Sequence, residues 1–404
     1  MTGDTAALPL TGICVLELTN FMAGPFCCTQ LADLGADVVK VEQPGVGDHS
    51  RKSPPLVNGG DGAGFLVLNR NKRSLALNLK APAGKAAFRR LAERADVLVE
   101  NMRPGTMDDL GLGPAELTAL NPRLIFCSIS GFGQSGPWRD RAGLDLIAQA
   151  ASGLMSITGE PGGAPVKAGV PIADLTTGLY AALSILAALR ERDRSGRGQT
   201  IDLSLFESAL ALGVWETGLY FATGEVAEPL GSAHRASAPY QAFRCADGYI
   251  TIGATTPANW PAGCSALGLD DLIDDPRFNT PTARKRNEKE LAALIEAVTS
   301  RRPRAHWQRL MDEAGVPASP IYRYDEALAA PQTQARGLVA EVEHPRVGRY
   351  RLVASPIRLG RTSPGRPKPA PLLGQHSREL LLEAGLRTDE VDELIAGGVA
   401  AEPA

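Results

Sequence analysis

The chain has 404 residues, 44% of them hydrophobic and 22% charged, with a formal net charge of −3. That composition excludes disorder over most of the length and supplies enough apolar residues for a large core. No excess positive charge marks a nucleic-acid or anionic-membrane partner, so an anionic ligand needs a local cationic pocket.

In chain order, Ile13–Leu18 reads as a buried strand and Phe26–Leu34 as a helix stopped by Gly35. Val38–Val41 is the next strand, followed by a long polar loop from Gln43 to Gly64. Ser74–Leu79 alternates like a strand, Ala83–Arg94 is an amphipathic helix, and Asp96–Val99 and Leu124–Ile129 are further strands. This alternation predicts a parallel sheet covered by helices. Leu175, Leu179, Leu183, Leu186 and Leu189 recur at helical steps and define a helix over Leu175–Arg192. A strand at Thr200–Leu203 and a helix over Phe206–Tyr220 follow, then a change of composition at Gly224–Ser237. We read residues 1–223 as a large domain, 224–237 as a linker, 238–325 as a small α+β domain and 326–404 as a carboxy-terminal segment. Within the small domain, Tyr249–Gly253 is a strand, and helices lie near Glu288–Thr299 and Arg304–Ala314. The tail carries strand-like pieces, a Pro-rich loop at Ser363–Pro371 and two short helices.

The six cysteines form no C-x-x-C pair and the five histidines are scattered, so neither zinc spacing nor a disulfide framework is present. No metal is expected. The amino-terminal stretch lacks the basic and apolar regions of a leader. The apolar run Leu179–Leu189 is shorter than a bilayer crossing. A cytoplasmic protein is the expectation.

Three sets of residues have types suited to chemistry. Gly131, Gly133 and Gly136 fit G-x-G-x-x-G, but Pro137 and Trp138 follow where a dinucleotide loop must open into a helix. A simple turning loop is the better reading. Asp174 opens the predicted long helix. A helix-capping carboxylate is the ordinary role there; the same position also presents a nucleophile. Lys72, Arg73 and Arg103 flank strands. They are either solvated loop charges or phosphate-binding groups.

Several blocks together resemble the class III CoA-transferase family of CaiB/BaiF type. They are Leu18–Glu42, Asn69–Ser74, Val99–Gly105, Ser130–Pro137, Asp174–Gly178, Ser195–Gln199, Ala238–Tyr249 and Leu372–His376. They stand in the family's order over nearly the whole chain. The resemblance implies a Rossmann-like large domain, a smaller α+β domain and an interlocked-ring homodimer, with the carboxy-terminal segment returning to the large domain. It implies that Asp174 attacks an acyl-CoA thioester, giving an anhydride and then an aspartyl-CoA thioester. Coenzyme A is then a substrate, with no tightly bound cofactor. Asn101 and Arg103 would line the CoA site, Lys72 and Arg73 its nucleotide end, and Met22 and Ala23 the thiol.

Departures narrow the chemistry within the resemblance. The family's α-methylacyl-CoA racemases carry a His where this chain has Leu144, and a Glu where it has Thr256. Leu144 moves no proton, which disfavours racemisation. The formyl-CoA:oxalate transferases have a Gln at Met22, a Tyr at Leu144 and a glycine-rich loop at Ala254–Pro257. The strongest likeness is to transferases between short dicarboxylates, of succinyl-CoA:glutarate type. Asn20, Leu144, Asp145 and His234 are then the expected substrate pocket. His234 and Arg235 are either ligands of the acceptor's far carboxylate or plain linker residues.

Overall fold

A computed structural model describes residues 7–403. The start of the stretch read above for a leader lies outside them. By internal contacts the chain divides into two units. The first takes the chain through Leu154, then Lys167–Phe221, then everything from Gln334 onward. The second takes Met155–Val166 and Ala222–Thr333. The sequence reading placed residues 155–166 in the first domain; their contacts group them with the second.

The first unit is built on a seven-stranded sheet. Its strands are β1 (Cys14–Leu18), β2 (Asp37–Glu42), β3 (Arg73–Leu77), β4 (Val97–Glu100), β5 (Ile125–Ser130) and β6 (Thr200–Ser204). These six are parallel, in the order β3-β2-β1-β4-β5-β6. The apolar runs give such a sheet because both faces are covered. Alternate residues go to opposite faces. Val15, Val38, Val97 and Ile125 enter one core with the helices Ala23–Asp33 and Ile172–Ser195. Leu16, Val39, Leu98 and Phe126 enter the other with Phe88, Leu380 and Leu381. The carboxy-terminal segment thus packs on the sheet, and its last strand, Ala400–Ala401, pairs antiparallel with β3.

The long polar stretch after β2 holds a short 3-10 helix at His49–Lys52, and a helix at Ala63–Leu68 begins at its end. Helix Ile172–Ser195 is longer than the sequence reading. By length and composition it could cross a membrane, but half of its apolar stretch is buried inside the fold. It is the central helix of the first core.

The second unit has three antiparallel strands, Tyr240–Cys245, Gly248–Gly253 and Ala318–Pro320. Helices Asn259–Leu267, Glu288–Thr299 and Arg304–Ala314 contribute Trp260, Leu291, Trp307 and Met311 to its core. Arg284 is buried there, with no carboxylate partner among the described residues. Its guanidinium donates to the carbonyls of Ala238, Phe278 and Thr255 and lies over the Trp260 ring.

Candidate active site

In an open parallel sheet, ligands bind outside the carboxyl ends of the strands, where the strand order reverses. Here that point lies between β1 and β4. Asn101, just after β4, bridges it. Its carbonyl accepts the Asn20 N–H at 2.9 Å and its amide donates to the Asn20 carbonyl at 2.9 Å. Two expected site residues are therefore joined, and Asn101 is committed to shaping the loop after β1.

That loop is strained. Phe21 has a φ of +64°, a region that non-glycine residues rarely occupy and that concentrates at functional sites. Its N–H donates to Asp48 Oδ1 and its ring stacks on His49. Asp48 is in turn part of a buried ionic cluster. Lys40 binds Glu17 at 2.8 Å and Asp48 at 2.9 Å, and Lys72 binds the other Glu17 oxygen at 2.8 Å. Burial alone would pull the Lys40 pKa down; Glu17 and Asp48 reverse this and raise it.

Met22 and Ala23 follow, as N-cap and first residue of helix Ala23–Asp33, which has no side-chain cap. The helix carrying Asp174 crosses this point closely. A Cβ on Gly178 would fall 2.8 Å from the Ala23 carbonyl oxygen and 3.3 Å from the Cys27 nitrogen. Only glycine permits that approach. Asp174 lies four residues before Gly178, on the same helix face. It therefore lies one turn before the crossing with the Ala23 helix.

Asp174 is not the cap of its helix. The N-cap is Pro171, and Asp174 is the third helical residue. Capping is supplied from outside. Asp145 Oδ1 accepts the N–H of Ala173 at 2.9 Å and that of Asp174 at 3.4 Å. Among the described residues nothing donates to the Asp174 carboxylate. Burial, and then the charge of Asp145, push its pKa up to about 7. Asp145 itself is held by a second close approach, since a Cβ on Gly131 would fall 2.6 Å from the Gly143 Cα. That contact pins the start of helix Asp145–Ala151 against the loop after β5. Leu144 is the N-cap of this helix and is 70% exposed.

The expected basic residues separate. Lys72 is interior: besides Glu17, its ammonium donates to the Pro25 carbonyl and to Asn69. It props the first turn of the Ala23 helix from beneath. Arg73 opens β3 at the amino end and binds Asp37, Glu379 and Glu383. Neither faces the crevice. Strand direction explains why, because about 13 Å of β3 separates Arg73 from the carboxyl edge. The residue at that edge is Lys80. It lines the crevice with Asn20, Gln43, His49 and Met102, is exposed, and has no carboxylate partner among the described residues. Arg103 is likewise exposed, with no ion pair among the described residues. Arg139 reaches the turn two residues beyond Arg103, with its Nη2 3.5 Å from where a Gly105 Cβ would be. Lys80 and Arg139 escaped the sequence reading. The rule that strand ends carry function could have found Lys80, as the cation just past β3.

His234 belongs to the second unit. It stacks on Tyr240 at 5.0 Å, and its Nδ1 accepts the Ala236 N–H. Its Nε2 is thus left as the proton-bearing atom in the neutral ring.

The sequence profile of CoA-transferase family III matches residues 10–377. The chain belongs to this family. It is 42% identical to succinyl-CoA:glutarate CoA-transferase of Mus musculus, over 97% of this chain and 90% of the relative. It is 40% identical to succinyl-CoA–D-citramalate CoA-transferase of Chloroflexus aurantiacus, over 98% and 99%. The crystal structure of a CAIB/BAIF family protein from Brucella suis matches with a TM-score of 0.85 at 37% identity, covering 94% of this chain and all of that one. The protein is a CoA-transferase, and CoA thioesters are its substrates.

Proposed function

We propose that this transferase moves CoA from succinyl-CoA or a similar donor to a small dicarboxylic acid, with Asp174 as nucleophile. The observation that carries this is the unpaired Asp174 carboxylate, left free because Asp145 caps its helix. The acceptors in the two relatives' names, glutarate and D-citramalate, are both dicarboxylates.

An Asp174 oxygen attacks the thioester carbonyl, and CoA leaves as thiolate, giving an acyl–aspartyl anhydride. The thiolate attacks the aspartyl carbonyl and releases the donor acid, leaving an aspartyl-CoA thioester. The acceptor carboxylate attacks that thioester and expels CoA thiolate again. The thiolate then takes the acceptor's acyl group and frees Asp174. The thioester's energy passes along the relay, so no ATP is consumed. The first N–H groups of the uncapped Ala23 helix are suited to stabilise the oxyanions. Lys80, with Arg103 after β4 and Arg139 after β5, is suited to the CoA phosphates. Met22 and Ala23 would border the thiol. In the second unit, the Nε2–H of His234 is suited to a carboxylate ligand.

Unit one also exposes Leu146, Ile147, Leu179, Leu183, Trp215 and Phe221. Apolar surface of this kind marks an interaction face, and a second copy, as in the interlocked homodimer, would cover it. Mixing the protein with succinyl-CoA and no acceptor tests the chemistry. A CoA adduct on the Asp174 peptide, absent in Asp174→Ala, is expected. Full transfer by Asp174→Ala would refute the assignment.

A further inference from the structure

The structure assigns a positioning role to Gln149, a buried residue on the helix behind the site. We propose that Gln149 locks Asp145 in the orientation that caps the Asp174 helix, and so keeps the nucleophile unpaired and aimed. The proposal rests on the reading of Asp174 as nucleophile.

The geometry is a chain of hydrogen bonds with a fixed sense. The Ala168 N–H donates to Gln149 Oε1 at 2.9 Å. Gln149 Nε2 donates to Asp145 Oδ2 at 2.7 Å. Asp145 Oδ1 takes the N–H groups of Ala173 and Asp174. Three segments meet in this relay: helix Asp145–Ala151, the stretch entering the Asp174 helix, and that helix's first turn. Without Gln149, Asp145 is a half-exposed carboxylate free to change rotamer. The first-turn N–H groups would then be open to the Asp174 carboxylate itself, which would become an ordinary cap. An interior amide whose oxygen and nitrogen both have assigned partners cannot flip without losing both bonds.

The first turn of the Ala23 helix carries no acidic residue. Glu207 accepts the Ser204 hydroxyl, and the Lys167 ammonium donates to the Ala168 carbonyl. Among the described residues, Asp145 is the charge that raises the Asp174 pKa.

The sense of the relay makes it testable by reversal. In Asp145→Asn an amide N–H2 meets the Gln149 N–H2. In Gln149→Glu a carboxylate meets the Asp145 carboxylate. Each single variant breaks one link. In the double variant D145N/Q149E every bond returns: the Ala173 N–H to the new amide oxygen, the amide N–H2 to the new carboxylate, and the Ala168 N–H to its other oxygen. The negative charge has moved one hydrogen bond away from Asp174.

Each single variant is expected to lose about 100-fold in kcat, the scale of a misplaced reacting group. The double variant is expected to recover to within about tenfold of wild type, with KM for succinyl-CoA little changed throughout. Its acid limb in kcat against pH is expected to lie at lower pH than that of wild type, a shift that a merely structural role would not produce. Urea unfolding of the four proteins reads the relay without reference to catalysis; the double variant's midpoint should exceed the additive expectation. A double variant whose losses simply multiply in kcat and add in urea overturns the proposal. A wild-type protein that transfers no CoA, while the urea coupling stands, overturns the proposed function and leaves the relay intact.

Discussion

Asp174→Asn should abolish transfer and stabilise the fold, by an amount that depends on pH. The side chain keeps its shape, but the charge is gone. Burial and Asp145 raise the carboxyl pKa from 3.8 to about 7. Each tenfold change in proton affinity is worth about 1.4 kcal/mol, so the ionised form is disfavoured by at most about 4 kcal/mol. The sign follows from linkage. Below pH 3.8 the group is protonated whether the chain is folded or unfolded, and the carboxyl carries no penalty. Above 3.8 the unfolded chain ionises first, and folding becomes less favourable. The penalty grows until the folded carboxyl also ionises near pH 7, and is constant beyond. The asparagine variant should therefore gain little over wild type at pH 4 and about 2–4 kcal/mol at pH 8, read by urea unfolding at both values. Wild-type adduct formation should fall about tenfold from pH 7.5 to pH 6, since only the carboxylate attacks. A stability gain that is the same at pH 4 and pH 8, or an adduct rate flat down to pH 5, would show that the Asp174 carboxyl pKa is not raised.

Gly178→Ala should cost about 1–3 kcal/mol of stability by overpacking the helix crossing, and about 100-fold in kcat by displacing Asp174; a wild-type melt with wild-type kcat would show the approach to be unimportant. Lys40→Met should destabilise by about 3–5 kcal/mol in urea, because Asp48 is left buried without its ammonium and Glu17 keeps only one of two. Lys80→Ala should raise KM for succinyl-CoA about tenfold with kcat within about twofold, the value of one charge-assisted contact. An unchanged KM would remove the crevice at the carboxyl edge as the nucleotide site.

Elements with strong periodicity follow from local sequence alone. The strands from Ile13 to Ile129 and the helices at Glu288–Thr299 and Arg304–Ala314 were readable because side-chain alternation reports burial directly. The long helix beginning beside Asp174 was readable for the same reason, although it starts at Ile172 and not after Asp174, and the family followed from motifs spread along the chain. Helix Asp145–Ala151 was not legible, because its apolar residues split between a buried side and an exposed one, with Leu146 and Ile147 outward. Local rules also favoured Asp174 as a cap, and only the tertiary fold could assign that task to Asp145, 29 residues earlier. Lys72, Arg73 and Lys80 look alike as cations near a strand. Their fates diverge because the strand's direction and neighbours decide which end meets a ligand, which end meets Glu379 and Glu383, and which ammonium is buried on Glu17. Periodicity is a property of neighbours along the chain, whereas the pairing of charges and the freeing of a nucleophile depend on groups brought together across it.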